Sequence, residues 1–316
     1  MTDIMELSIV IPVFNAESTL PIVVQRIQKV LCESCYEVVL VDDGSADRSN
    51  EVARRLAIAD PNRINHIQLS RNFGEHHAVL AGLANASGRY VAILDDDGQN
   101  PPEELPRMLA HLQREGLDVI YGRYLHRRHV WYRKLGSWFN DRMANLMLRK
   151  PRGLYLSSFK IMNRFVVDEV LKYQGPYPYL DGLICHLTDR LGQLDVRHQD
   201  RLGGKSGYTF RKLLRLWLNM FLGFSILPLR INIYVGLITS FASVGWLFTI
   251  LIDKLWITPT MTLGIPTVLA CMALFSGVQL MVLGLIGEYV GRIYLAANGK
   301  PMFVVRSSTR EELGHD

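Results

Sequence analysis

Apolar, β-branched runs alternate with amphipathic stretches along the first 120 residues of the chain. Five runs predict buried strands, at 7–13, 37–41, 66–69, 90–94 and 118–121. Four intervening segments have the apolar spacing of helices, at 20–31, 48–59, 76–85 and 103–114. This alternation predicts an α/β fold with a mostly parallel sheet and helices on both faces. Such sheets bind ligands at the carboxyl ends of their strands, so the residues after each strand are the candidates for function.

Two long segments in the last third of the chain carry no charge. Residues 231–252 and 255–287 contain no Asp, Glu, Lys or Arg. A helix over the first segment would be roughly 33 Å long, enough to cross a hydrocarbon core of about 30 Å. The second segment contains Pro259 and Pro266, so its spanning part is expected at about 265–287. Buried core helices are the alternative, but they would normally carry a polar face, which these segments lack. We therefore predict two transmembrane helices.

Basic residues flank the two predicted spans. They are Arg211, Lys212, Arg215 and Arg230 before the first span, and Arg292, Lys300 and Arg306 after the second. The positive-inside rule then places both termini in the cytoplasm, and no signal-peptide pattern precedes Leu7. The predicted organisation is a cytoplasmic domain at 1–207, an amphipathic membrane-interface region at 208–230, two spans within 231–295, and a cytoplasmic tail at 296–316.

Composition narrows the class of protein. The 316 residues carry a net charge of +5, are 21% charged and include four Cys, and the mean hydropathy is +0.11. Ordinary Gly and Pro contents and few Cys exclude disordered, collagen-like and disulfide-rich classes. The positive charge indicates an anionic partner: nucleic acid, lipid headgroups or a phosphorylated substrate. A nucleic-acid binder would not account for two membrane spans, so we expect no nucleic-acid partner.

Three adjacent carboxylates follow the fourth predicted strand, within the segment 95–99. Such acids repel one another unless a cation lies among them. In an extended segment Asp95, Asp97 and Gln99 project to the same side. Their hard oxygen atoms suit Mg²⁺ or Mn²⁺, so the sequence predicts a divalent metal site. The alternative is a solvated acidic loop with Asn100 as a helix N-cap.

Polar residues also follow the first two strands. The segments are Pro-Val-Phe-Asn at 12–15 and Asp-Asp-Gly-Ser at 42–45. Neither has the glycine pattern of a dinucleotide fold, and the chain has no Walker loop or Gly-x-Ser-x-Gly elbow. The acids at 42–43 can accept hydrogen bonds from a base or a ribose, although Asp-Gly also occurs in ordinary turns.

Two later regions are basic. Residues 119–140 carry five Lys and Arg residues, residues 201–252 carry six, and neither region contains an acid. Beside a membrane, such clusters favour anionic headgroups or a lipid-linked phosphate. The charges of the interface region at 208–230 are interleaved with Leu, Trp and Phe, as in a helix lying in the membrane interface.

With these motifs in this order, the chain resembles the polyprenyl-phosphate glycosyltransferases of the inverting family 2 type, which have a GT-A fold. It is similar to dolichyl-phosphate mannose synthases and to bacterial enzymes that load glucose or aminoarabinose onto undecaprenyl phosphate. The matching pieces are at 11–15, 42–45, 71–74, 95–102, 201–208 and 284–294. The resemblance implies sugar transfer from a nucleotide sugar, with UDP favoured, to undecaprenyl or dolichyl phosphate. It also implies a location in the bacterial inner membrane and a homo-oligomer, with a tetramer as one option.

The resemblance further implies roles for single residues. Catalytic residues would contact the metal or the lipid phosphate, or lie in the loop that closes over the site: Asp95, Asp97, Arg123, Arg133, Ser137 and Arg201. Gln99 would complete the metal site with Asp95 and Asp97. Nucleotide-sugar contacts fall to Pro12, Phe14, Glu17, Asp42, Asp43, Arg71, Asn72, Gly74, Asp96 and Ser206. Two departures concern Glu17, which is displaced by one residue from the usual Asn-Glu pair, and the serines at 157–158, where many members have an acid.

The implied mechanism needs no strong general base. A phosphate monoester has a second pKa of about 6, so at cytoplasmic pH the acceptor is already a competent nucleophile. In-line attack on the anomeric carbon then inverts its configuration, while a metal stabilises the departing diphosphate and arginines hold the acceptor. Two alternatives stay open: a transferase like the processive polysaccharide synthases, whose Gln-x-x-Arg-Trp motif this chain lacks, and a non-catalytic membrane scaffold.

Overall fold

The chain divides into two compact units. In a computed structural model, one unit contains residues 1–209 and 300–316, and the other contains residues 210–299. The structure describes residues 5–124, 151, 153–173, 175, 178–197, 264–299 and 301–314, with isolated positions between 234 and 256.

A single eight-stranded sheet forms the centre of the first unit. Its strands are β1 (Leu7–Val13), β2 (Tyr36–Asp42), β3 (Ile64–Leu69), β4 (Tyr90–Ile93), β5 (Val119–Tyr124), β6 (Lys160–Asn163), β7 (Leu191–Val196) and β8 (Val305–Ser308). The spatial order is β7-β5-β6-β4-β1-β2-β3-β8. Neighbours pair in parallel except around β6 and at the β3–β8 edge. The predicted α/β class, with a mostly parallel sheet, is confirmed.

Helices cover both faces of this sheet. They are α1 (Leu20–Val30), α2 (Ser49–Ala59), α3 (Glu75–Ala84), α4 (Leu105–Glu115), α5 (Arg164–Leu171), α6 (Leu180–Leu187) and α8 (Thr309–Glu312). A 3-10 turn at Pro102–Glu104 precedes α4. Alternate residues of β1 point to opposite faces: Ile9 and Ile11 pack with α1, α2 and α4, while Val10 packs with α3, α5 and α6. This period of two is the packing rule of a strand covered on both sides.

The C-terminal residues belong to the sheet. The predicted tail at 296–316 includes β8, which pairs antiparallel with β3, with Ile67 opposite Ser308. The Thr309 hydroxyl accepts a hydrogen bond of 2.9 Å from the His66 backbone N–H. Arg310 forms a 2.8 Å ion pair with the fully buried carboxylate of Glu37 on β2. The last strand therefore covers an edge that would otherwise be open.

The described part of the second unit is dominated by one helix, α7 (Ile265–Ala297). Its 33 residues make a rod of about 50 Å, and Pro266 lies in its first turn, where proline is favoured. The predicted span at 265–287 lies inside this longer helix. By length and composition alone, Phe275–Ala297 could cross a membrane, and it is the one such helix within the described residues.

The other predicted membrane elements fall largely outside the described residues. The interface region at 208–230 lies wholly outside them. Of the predicted span at 231–252, isolated positions are described, and these are helical. The structure thus gives one candidate membrane helix in its described part, where the sequence predicts two.

Candidate active site

The segment 95–99, called the acid run below, lies at the carboxyl end of β4, next to the end of β1. Three carboxylates in it have three different partners. Asp96 Oδ2 accepts a hydrogen bond of 3.0 Å from the backbone N–H of Phe14. Asp95 Oδ2 accepts one of 2.6 Å from the Ser158 hydroxyl. Asp97 Oδ1 accepts one of 3.0 Å from the backbone N–H of Gln99. The run is therefore fixed to the loop after β1, to the segment before β6, and to itself.

Neighbouring acids contribute to the raised pKa of Asp95 and of Asp96. Burial is the largest cause, and it raises the pKa of Asp95 to about 6 and that of Asp96 to about 7. The negative charges of Asp97 and Glu75 add to both shifts. A positive charge placed here would stabilise the ionised forms. Within the described parts of the chain, no three His, Cys, Asp or Glu side chains form a group that could hold a metal ion.

The loops after β1 and β2 interlock. Asn15 has a left-handed backbone, with φ of 54°, and its N–H donates to the Ser45 hydroxyl at 3.0 Å. The Asn15 side-chain oxygen accepts a hydrogen bond of 2.8 Å from the backbone N–H of Ala46. These bonds leave the neighbouring Phe14 ring 49% exposed, beside the acid run, where it can contact a bound ligand.

Glu17, a predicted nucleotide contact, is hydrogen-bonded to the start of α2. Its Oε2 accepts a hydrogen bond of 3.1 Å from the backbone N–H of Arg48 at the start of α2. Carboxylates are favoured at helix N-termini, where backbone N–H groups have no helical partner. In this structure Glu17 caps α2.

The two acids at the end of β2 are buried and hydrogen-bonded to backbone N–H groups. Asp43 is 4% exposed, and its two oxygens accept hydrogen bonds from the backbone N–H groups of Phe73 and Gly74 at 2.7 and 2.8 Å. Asp42 is 1% exposed and accepts a bond of 3.3 Å from the Ser45 N–H. Burial raises the pKa of both carboxyls. Asp43 therefore holds the loop at 71–74, which carries predicted nucleotide contacts.

Glycine is required where this loop meets β2. Gly44 has a φ of +69°, and a Cβ there would lie 2.7 Å from the backbone nitrogen of Asn72. The close approach brings the exposed side chains of Arg71 and Asn72 beside the end of β2. The Arg71 guanidinium lies 4.6 Å from the centre of the Phe73 ring.

A buried ion pair lies two residues beyond Ser158. The Lys160 ammonium pairs with the Asp181 carboxylate, and their side chains are 4% and 14% exposed. Tyr121 donates its hydroxyl to the same carboxylate at 3.2 Å, and the ammonium lies 5.2 Å from the centre of that ring. The pair thus joins β5, β6 and α6 beside the acid run.

Arg123, a predicted contact of the lipid phosphate, has a protein partner. It forms a two-point ion pair with Asp195 on β7, with 2.9 Å between its Nη2 and Oδ2. The two residues are directly opposed in register, and the hydrogen bond from Arg123 lowers the pKa of Asp195. The other predicted contacts of the phosphate and of the closing loop (Arg133, Ser137, Arg201 and Ser206) lie outside the described residues.

Comparisons with known proteins identify the family and support the fold. The sequence model of the family described as Glycosyl transferase family 2 matches residues 8–171, from β1 to α5. The chain is 34% identical to the undecaprenyl-phosphate 4-deoxy-4-formamido-L-arabinose transferase of Aeromonas hydrophila, over 98% of this chain and 96% of that protein. The chain belongs to glycosyl transferase family 2.

A further relative and a solved structure also resemble the chain. The chain is 33% identical to the uncharacterized glycosyltransferase YkcC of Bacillus subtilis, over 95% of this chain and 93% of that one. A crystal structure of glucosyl-3-phosphoglycerate synthase from Mycobacterium tuberculosis, in complex with Mn²⁺, UDP and phosphoglyceric acid, matches with a TM-score of 0.51. The identity is 17%, over 69% of this chain and 76% of that one, so the match concerns the GT-A-like fold alone.

Two neighbours of the acid run were not predicted as site residues. Ser158 belongs to the serine pair at 157–158, where many family members have an acid. That departure was the one indication in the sequence that Ser158 could belong to the site. Glu75 is the first residue of α3 and directly follows Gly74, the end of a predicted motif. Its charge helps to raise the pKa of Asp95 and Asp96. Because Glu75 is distant from these acids in the sequence, no local pattern predicts this interaction.

Proposed function

We propose that this protein transfers a sugar, with inversion, from a nucleoside-diphosphate sugar, with UDP as the nucleotide, to undecaprenyl phosphate. The observation that carries the proposal is the acid run at the end of β4, joined to the exposed Phe14 by the Phe14–Asp96 hydrogen bond. An exposed ring and oxygen ligands beside it suit the two halves of a nucleoside diphosphate.

The acceptor is inferred from relatives and from charge. Two relatives at 34% identity, from Aeromonas hydrophila and Proteus mirabilis, are named as undecaprenyl-phosphate transferases and align over nearly their full lengths. A long apolar helix and the basic regions before it fit an acceptor whose phosphate lies at a membrane surface.

The acid run fits a divalent cation. Asp95, Asp97 and Gln99 supply two carboxylates and an amide oxygen, a donor set suited to Mg²⁺ or Mn²⁺ with substrate phosphates completing the shell. The mutual repulsion of the acids would be relieved by such an ion. When bound, the cation would supply Lewis-acid stabilisation of the diphosphate leaving group. The Mn²⁺ and UDP bound by the fold-level neighbour support this assignment.

The remaining chemistry falls to the chain's own side chains. The acceptor phosphate attacks the anomeric carbon, its oxygen forms the new bond, and the diphosphate departs from the opposite side with the electron pair. Arg123, Arg133 and Ser137 would hold the acceptor phosphate, the two arginines as planar, permanently charged donors. Arg201 and Ser206 would lie in the loop that closes over the site. Since Arg123 pairs with Asp195 in the structure, a phosphate that binds there must displace the Asp195 carboxylate or share the Arg123 guanidinium with it.

The proposed arrangement in the cell keeps the sequence-based organisation. The catalytic domain at 1–207 and both termini are cytoplasmic, the region at 208–230 lies in the interface, and two helices within 231–295 cross the inner membrane. We further propose that the protein forms a homo-oligomer.

The direct test is a transfer assay with lipid extraction. Membranes containing the protein are incubated with undecaprenyl phosphate and a panel of radiolabelled nucleotide sugars. We expect one label to enter the lipid phase in the wild type and none in Asp97→Ala. Asp189→Ala, an exposed acid outside the site, is the matched control and should transfer normally. If no labelled sugar enters the lipid phase although the protein is folded, the result would favour the non-catalytic scaffold.

A second measurement separates the two substrates. Arg133→Ala should raise the KM for undecaprenyl phosphate more than the KM for the nucleotide sugar. An equal effect on both would remove Arg133 from the acceptor site.

A further inference from the structure

A cavity lies at the opposite end of the central strands from the acid run. Its volume is about 370 Å³, and its lining includes Arg89, Arg164, Arg190, Asp118, Asn163 and Phe165. β4 separates the two sites: Tyr90, at its start, pairs with Asn163, and Ile93, just before the acids, pairs with Lys160. The cavity therefore has no part in the transfer site.

The three arginines are brought together by the backbone of the sheet. The Arg164 N–H donates to the Arg89 carbonyl at 2.9 Å, and the Asp118 N–H donates to the Arg190 carbonyl at 2.9 Å. The Asn163 N–H, next to Arg164, donates to the Asp118 carbonyl at 2.9 Å. This chain of bonds fixes residues from four separate segments around one space, so the clustering is a property of the fold.

The charge of the cavity is not balanced. Asp118 is the one acid in the lining, and its two oxygens already accept hydrogen bonds from Asn163 and Thr188, at 2.8 and 2.6 Å. Arg89 and Arg190 are exposed, and neither has a carboxylate within 4.0 Å among the residues that the structure describes. Two guanidinium groups are therefore available to a ligand.

Arg164 supports the wall of the cavity. Its guanidinium donates to Asp168 at 2.8 Å and to the Ala86 carbonyl at 2.7 Å. The next residue, Phe165, lines the cavity and is 54% exposed. An exposed ring beside guanidinium groups offers a planar apolar surface next to strong anion donors.

We propose that this cavity is a second binding site, separate from the transfer site, for a phosphate ester. Guanidinium groups bind phosphate oxygens in pairs, and Arg89 and Arg190 would hold the phosphate. The volume exceeds that of a bare phosphate ion and falls in the range of small-molecule sites, about 300–1,000 Å³. The organic part of the ester would rest on Phe165. A soluble metabolite and a lipid headgroup share this chemistry.

The test is a thermal-shift titration of the purified full chain in neutral detergent with EDTA, which prevents metal-mediated binding at the acid run. The probes are phenyl phosphate, inorganic phosphate, dihexanoyl phosphatidic acid and, as a neutral lipid control, dihexanoyl phosphatidylcholine. Ligands that bind the folded state raise Tm in a saturable way. We expect phenyl phosphate or phosphatidic acid to do so and phosphatidylcholine not to.

Variants assign the binding to the cavity. Arg89→Gln and Arg190→Gln should each weaken it at least about tenfold, consistent with the loss of a charged hydrogen bond. Arg55→Gln, on the exposed face of α2, makes the same charge change elsewhere and should bind as the wild type does. Phe165→Ala should weaken the binding of phenyl phosphate and leave the binding of inorganic phosphate unchanged.

The outcomes are distinct. Arginine-dependent binding of phenyl phosphate identifies a soluble ester, and arginine-dependent binding of phosphatidic acid alone identifies a headgroup. Binding that is equal in wild type, Arg89→Gln and Arg190→Gln, or no binding of either probe, would overturn the proposal. Neither result bears on sugar transfer, because the variants leave the acid run intact.

Discussion

The hydroxyl of Ser158 donates a hydrogen bond of 2.6 Å to Oδ2 of Asp95. This bond connects the segment before β6 to the acid run after β4, across 63 residues of sequence. Burial and the nearby acids raise the pKa of Asp95 to about 6, while the Ser158 bond acts in the opposite direction. The neutral donor at 158 therefore favours the ionised form of Asp95, whereas a further acid there would favour the protonated form.

Replacement of Ser158 by Ala should impair transfer. A hydrogen bond to a charged group contributes about 1.5–3 kcal/mol, so we expect kcat/KM to fall about 10- to 100-fold and the free energy of unfolding to fall by no more than about 3 kcal/mol. Ser307→Ala, whose hydroxyl bonds to Gln68 on the far edge of the sheet, is the control. If both variants retain full activity, the Ser158–Asp95 bond has no role in the site.

Removal of one member of the Lys160–Asp181 pair should destabilise the fold. Asp181→Leu leaves a buried ammonium unpaired, which costs about 3–5 kcal/mol, whereas the double change Lys160→Met with Asp181→Leu should recover most of that loss. Lys172→Met breaks the exposed pair with Glu169 and should cost less than about 1 kcal/mol. Denaturant unfolding measures all of these changes. A double variant as unstable as Asp181→Leu would show that the ion pair is not the cause.

The central strands were predictable because their signal is local. The predicted runs at 7–13 and 90–94 match β1 and β4 within one residue at each end, since buried strands in such a sheet are continuous apolar runs. The four-residue strand β6 was missed. It begins with Lys160, whose charge is tolerated inside the sheet because Asp181 approaches from α6, and a partner distant in sequence leaves no local pattern.

The C-terminal strand shows the same limit. β8 pairs with β3, about 240 residues earlier in the chain, so the sequence alone suggested a free tail. The roles of the site acids were only partly predictable for a related reason. Asp43 and Asp95 both follow strands, but Asp43 binds the backbone of the loop at 71–74, and only the folded loop determines that difference.

The Arg310–Glu37 pair should hold the C-terminal strand in place. Burial raises the pKa of Glu37, but hydrogen bonds from Ser8, Ser87 and Arg310 outweigh that effect and lower it. Arg310→Met should destabilise the domain by about 1.5–3 kcal/mol and expose residues 301–305 to limited proteolysis. Arg306→Met, an exposed arginine of β8 itself, should leave the proteolysis rate unchanged. Equal rates in both variants would contradict the assignment.

His66 should make the stability of the domain depend on pH. Burial lowers its pKa from 6.5 to about 4, and the side chain is 2% exposed. The unfolded chain then binds a proton first as the pH falls, so the stability is fully present above about pH 6.5 and decreases toward pH 4, by up to about 3 kcal/mol. His66→Gln should flatten this part of the profile of unfolding free energy against pH. An unchanged slope in that variant would assign the effect to other groups.

The central claim is that Asp95, Asp97 and Gln99 hold a divalent cation that binds the donor diphosphate. Electron paramagnetic resonance of Mn²⁺ titrated into the purified protein with UDP tests it most directly. We predict one site in the wild type, binding at least about 100-fold more weakly in Asp97→Ala, as for loss of a charged ligand, and unchanged binding in Asp189→Ala. Binding of Mn²⁺ and UDP that is equally tight in Asp97→Ala would contradict the account.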